Sequence, residues 1–93
     1  MWKGVLPIGS IVLLKGGERR LMIIGNCISR EDDDSRVYDY AGTLYPDGFE
    51  DPDSLYMFNA ENIERVYYVG YMDEDSRKFL AQMETVTKEL RSN

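Results

Sequence analysis

The residue types that usually carry catalysis or hold metals are scarce in this chain and poorly spaced for either task. Histidine is absent, which removes the commonest general base and the commonest metal ligand. Cys27 stands alone, so an intramolecular disulfide, a cysteine zinc site and a Cys–His nucleophile are all excluded. Ser10 lies in Ile8-Gly9-Ser10-Ile11, without the second glycine of a nucleophile elbow. Gly16-Gly17 precedes an apolar run of strand character, whereas phosphate-cradling glycines lead into a helix. Carboxylates are plentiful, in Asp32-Asp33-Asp34 and in Asp47, Glu50, Asp51 and Asp53. Calcium loops need oxygen ligands at fixed offsets with a Gly and a distal Glu. Neither cluster has that order, and Arg36 falls where a ligand should be. Both read as solvated loops. A hydrolase built on a carboxylate pair or a cation-binding module stays open on residue types alone, although 93 residues rich in turns leave little wall for a cleft. No catalytic residue, metal ligand or cofactor site is assigned.

The tyrosines are more suggestive: Tyr38, Tyr40, Tyr45, Tyr56, Tyr67, Tyr68 and Tyr71. Tyrosine offers a large contact area and a polar tip at low entropic cost, which enriches it at interfaces, yet it also suits strands. Strand alternation sends Tyr67 and Tyr68 to opposite faces and puts Tyr38 and Tyr40 on one face. The candidate partner-binding residues are Tyr40, Tyr45, Pro46, Phe49 and Tyr56, which cluster around the one long, turn-rich excursion. Loops of that length are often functional.

The formal net charge of −6 argues against a polyanionic partner. Counterion release on nucleic acid needs a basic face, and so does an anionic membrane surface. The one basic doublet, Arg19-Arg20, has Glu18 beside it. The stretch after Met1-Trp2-Lys3-Gly4 is broken by Pro7 and Gly9 and is too short for a signal peptide. No segment approaches the ~20 apolar residues of a membrane span. The expected setting is the cytoplasm, with no membrane insertion.

The elements that must position these residues follow from apolar spacing. Two apolar runs, 10–15 and 18–25, flank Gly16-Gly17 and predict a β-hairpin with Val12 facing Leu21 and Ile11 facing Met22. Both hairpin faces carry apolar side chains, which predicts cover on both sides, by a helix or by the curl of a small barrel. Residues 29–36 hold nothing apolar and read as a loop. A third strand is expected over 37–42, then turns from Pro46 to Ser54 around Pro46-Asp47-Gly48. A short strand at 55–58, a helical turn capped by Asn59 and a last strand over 65–71 follow. Asp73 is the expected N-cap of a helix over 74–91, whose Phe79, Leu80, Met83, Val86 and Leu90 form one apolar stripe. This is an α+β pattern in a single domain spanning 1–93, with strands in 5–71. The expected architecture is a small antiparallel, strongly twisted sheet or SH3-like partial barrel of about five strands with a C-terminal amphipathic helix.

Several short motifs occur in a familiar succession: Leu6-Pro7-Ile8-Gly9-Ser10, Leu14-Lys15-Gly16-Gly17, Leu21-Met22-Ile23-Ile24-Gly25 and Tyr38-Asp39-Tyr40. Leu44-Tyr45-Pro46-Asp47-Gly48, Phe58-Asn59 and Gly70-Tyr71 complete it. From Leu6 to about Met83 the chain resembles a Gram-positive bacterial family catalogued as domain of unknown function 4176. Members of that family are encoded beside LXG-type toxins exported by the type VII (Esx-like) secretion system. The resemblance implies a cytosolic accessory protein that binds the toxin and keeps it soluble or competent for export. It transfers no catalytic residue. The expected function is thus non-catalytic: a chaperone or targeting factor for the LXG region of a toxin. An immunity or regulatory protein for the toxin's catalytic domain is the alternative.

Overall fold

A computed structural model describes residues 5–30 and 33–91. The strands are β1 (Ile11–Leu14), β2 (Leu21–Arg30), β3 (Asp33–Leu44), β4 (Tyr56–Phe58) and β5 (Ile63–Tyr68), and α1 spans Glu74–Arg91. Single 3-10 turns, Pro52–Ser54 and Ala60–Asn62, flank β4. The strands form one five-stranded antiparallel sheet in the order β4-β3-β2-β1-β5. The sheet is open, with β4 and β5 at its two edges, so of the two expected forms it is the sheet and not the barrel. With α1 it makes an α+β fold.

The first hairpin has the expected register, Ile11 opposite Met22 and Val12 opposite Leu21. Its ladder is shorter than expected. Leu13 and Leu14 pair with Arg65 and Ile63 of β5 instead, the Lys15 N–H donates to the Asn62 carbonyl at 2.8 Å, and residues 15–20 form a loop. One side of the hairpin is sealed: Val12, Leu21 and Ile23 join Leu6, Tyr40 and Phe58 in the core. The other side is not covered as expected, since Ile24 is exposed and Ile11 and Met22 are half-buried. The physical reason is the position of α1, which packs chiefly against β2 and β3.

Residues 29–36 are not a loop. β2 runs on through Arg30 and β3 starts at Asp33; residues 31 and 32, and with them part of the acidic run, lie outside the described residues. A two-stranded ribbon needs no apolar side chain to keep its backbone extended, so the lack of apolar residues did not mark the ends of the two strands.

The two chain segments that close the core meet tightly. The Ser10 hydroxyl donates to the Pro7 carbonyl at 2.8 Å and accepts the Gly70 N–H at 3.0 Å. Gly70 packs its backbone on Ile8 and Gly9 so closely that a Cβ there would overlap the Ile8 carbonyl oxygen. The last strand therefore ends at Tyr68, short of the expected 71, where the chain turns onto residues 8–10. Asp73 caps α1 as expected: its carboxylate accepts the Ser76 N–H, and the Ser76 hydroxyl accepts the Asp73 N–H, both at 2.8 Å.

Candidate functional site

The uncovered side of the sheet becomes a site because of an irregularity in β5. Ile11 pairs with Tyr68 but Val12 pairs with Val66, so Tyr67 is the extra residue of a β-bulge. A bulge re-aims a side chain. Here Tyr67 and Tyr68 both line one open cavity of about 480 Å³, together with Ile11, Met22, Arg20 and Tyr45. The alternation that would part the two rings fails at the bulge. The cross-strand pairs Ile11–Met22 and Ile11–Tyr68 bring three strands to one level. Tyr45 is held at the rim by its N–H, which donates to the Arg20 carbonyl at 2.9 Å.

Cations sit over the rims of this face. The Arg20 guanidinium lies 5.1 Å from the Tyr45 ring centroid and that of Arg65 lies 5.6 Å from Tyr67. Such contacts hold rings at defined angles while their faces stay accessible. Tyr67 and Tyr68 are 48% and 61% exposed, a large aromatic area for water to cover. Arg19 reaches across to Asp47 at 2.7 Å and ties the 15–20 loop to the turn after Tyr45. That turn follows a cis Tyr45–Pro46 bond and uses Gly48 at φ 85°, where glycine escapes the Cβ clash.

The five sequence-derived candidates do not form one cluster. Tyr40 is 1% exposed, its ring is 5.6 Å from that of Phe58, and its oxygen accepts the Leu6 N–H at 2.9 Å. It is a core residue in this structure, and burial pushes its phenol above its ordinary value despite the opposing Leu6 hydrogen bond, with Asp39 and Glu84 adding to the rise. Tyr45 belongs to the aromatic face. Pro46 and Phe49 are exposed on the loop after it, and Tyr56 is exposed on the edge strand β4 opposite Gly42. Ile11, Met22, Tyr67 and Tyr68 are the residues sequence reasoning missed. The apolar second side of the hairpin was their available signal.

A second cavity, of about 260 Å³, lies beneath α1 and is lined by Asn26, Cys27, Tyr40, Met83 and Thr87 among others. The Asn26 amide donates to the Leu6 carbonyl at 3.2 Å, while its buried oxygen has no partner. The charged groups at its mouth are paired, Arg91 with Asp39 at 3.0 Å and Lys88 with Glu84 at 3.5 Å. Among the described residues no three His, Cys, Asp or Glu side chains converge as a metal site would require. Asp47, Asp51 and Asp53 belong to loop and turn structure, Asp47 through Arg19 and Asp51 through Ser54.

The sheet takes only part of the apolar stripe on α1, where Met83 is half-buried and lines the cavity beneath the helix. Leu80 and Thr87 are buried against the sheet, whereas Phe79, Val86 and Leu90 of the apolar stripe face solvent. No helix among the described residues is long and apolar enough to cross a membrane. In comparison with known proteins, a family model described as "Domain of unknown function (DUF4176)" matches residues 5–79, well over half of the chain. No curated protein and no solved structure gives a significant match.

Proposed function

This chain belongs to the family described as Domain of unknown function (DUF4176), and from that footing we propose that it is a non-catalytic protein-binding factor. Its partner, on the family resemblance, is an LXG-type toxin of the type VII secretion system, which it holds soluble or export-competent in the cytoplasm. The observation that carries the reading is the uncovered aromatic face, where Tyr45, Tyr67 and Tyr68 surround Ile11 and Met22. Rigid, amphipathic rings around an apolar floor suit the anchor side chains of a protein partner. The lack of histidine in the sequence, the commonest general base, supports the non-catalytic half.

The test is co-expression with an LXG-type toxin. A complex at micromolar concentration that requires the toxin's N-terminal LXG region is expected. Tyr68→Ser is expected to weaken it at least about tenfold, the loss of one aromatic anchor. No complex would sink the reading, and a complex that needs only the toxin's C-terminal domain would make the chain an immunity protein.

A further inference from the structure

Two arginines at the aromatic face are held unlike the cations elsewhere on the surface. Arg19 pairs with Asp47, Arg91 with Asp39, Lys78 with Glu74 and Lys88 with Glu84. Arg20 and Arg65 are exposed and lie over rings instead, those of Tyr45 and Tyr67. Among the described residues neither makes an ion pair or a side-chain hydrogen bond, although Glu18 and Glu64 are close in sequence. A ring attracts the charge but supplies no oxygen acceptor. The N–H fork of each guanidinium is therefore steadied by a ring and still available to a carboxylate.

The two cations flank the apolar floor. Arg65 stands opposite Leu13 of β1, and Arg20 comes just before Leu21, the partner of Val12 on the other side of that strand. Two strand spacings put their backbones roughly 10 Å apart. Ile11, Met22, Tyr67 and Tyr68 line the cavity at this face. Cations on opposite sides of an apolar floor suit separate carboxylates around an apolar anchor better than one compact polyanion. We propose that this face receives an acidic segment of its protein partner. An apolar or aromatic anchor sits on Ile11 and Met22 among the tyrosine rings, and Asp or Glu on either side of it reaches Arg20 and Arg65. This rests on the same face as the proposed function and adds the chemistry of what docks there. A second copy could offer Phe49 with Glu50 and Asp51. It is the poorer occupant, because two whole molecules at −6 repel, whereas a partner need be acidic only where it docks.

The experiment uses the full chain and two synthetic peptides with the same central Trp-Leu pair, one flanked by Glu on both sides and the other by Lys. At about 0.15 M salt only nearby charges count. Calorimetric titration is expected to show the Glu peptide binding at least about tenfold tighter. That order is diagnostic, because the net charge of −6 alone favours the Lys peptide. The double variant Arg20→Gln/Arg65→Gln is expected to abolish the preference, and Tyr68→Ser to weaken the Glu peptide several-fold, with the near-UV circular dichroism of the double variant unchanged. Equal binding, a Lys preference, no binding of either peptide, or a preference that survives the double variant overturns the proposal. So does a concentration-dependent dimer in sedimentation that Phe49→Ser abolishes, because it puts a second copy on the face. A toxin complex weakened by Tyr68→Ser but untouched by the double variant removes this inference and leaves the proposed function standing. An arginine-dependent Glu preference without a toxin complex does the reverse.

Discussion

The two ends of the β2–β3 ribbon are finished by different physics. At the β1 end, Leu6, Val12, Leu21, Ile23, Tyr40 and Phe58 form a sealed core, and the backbone of Gly70 is wedged onto residues 8–10. At the other end α1 buries Leu80 and Thr87, sets Met83 over a cavity that Tyr40 also lines, and is tied at its last turn by polar contacts. Arg91 reaches the Val37 carbonyl at 3.0 Å, Asn59 Oδ1 at 2.6 Å and Asp39 at 3.0 Å. Apolar burial and backbone fit make the first end cooperative. Exposed ion pairs contribute little, so the second end is held more loosely. The candidate aromatic face lies where packing is incomplete, beside the first end.

That contrast is broken most severely at Gly70. Gly70→Ala puts a methyl group into the Ile8 carbonyl, and backbone meeting backbone has no side chain that can swing away. The Gly70 N–H bond to Ser10 is also disturbed. A loss of about 3 kcal/mol is expected from overpacking and the displaced hydrogen bond. Chemical denaturation should show a fall in midpoint with the slope unchanged. A wild-type midpoint would mean that the clamp at this end is not what holds the core closed.

Tyr40→Phe is the next largest effect. The ring keeps its packing, but the buried Leu6 N–H loses its acceptor, at a cost of about 1–2 kcal/mol. The same residue gives the closed end a pH dependence. An unfolded tyrosine ionises near pH 10, and burial raises the folded value above that. The contribution is complete below the unfolded pKa and is lost as pH rises through the folded one. Denaturation midpoints of wild type and Tyr40→Phe are therefore expected to converge above about pH 10. A gap that stays constant to higher pH would mean that the phenol is not shielded.

How much of this could be read from the residues depended on whether local pattern or tertiary contact decides. The hairpin register and the Asp73 cap are local, and both follow from apolar spacing and one capping side chain. The order of the strands in an antiparallel α+β sheet was legible only as a class. Tyr67 and Tyr68 share a face because of a bulge against β1, which period-two alternation within β5 does not contain. Tyr40 and Tyr45 both lie in aromatic strand-like sequence, yet Leu6 and Phe58 close over the first, while only the Arg20 guanidinium lies over the second, which stays exposed. The rotation of α1 is likewise tertiary. Its strongest apolar stripe names one side, and its contacts with Asp39 and Asn59 turn another toward the sheet.

The smallest effect is at that clasp, and it separates the two ends most cleanly. Arg91→Ala removes an ion pair whose side chains are 41% and 21% exposed, together with two hydrogen bonds. Solvent screening holds the global cost to about 0.5–1 kcal/mol. The local cost is concentrated in the last turn of α1, where Thr87 is the nearest buried residue and few apolar contacts resist fraying. Hydrogen exchange is expected to speed up for the amides of about 86–91 in the helix, while those of Val12, Ile23 and Tyr40 keep the protection set by global unfolding. If exchange rose equally in β2 and α1, the helix and the core would open as one unit.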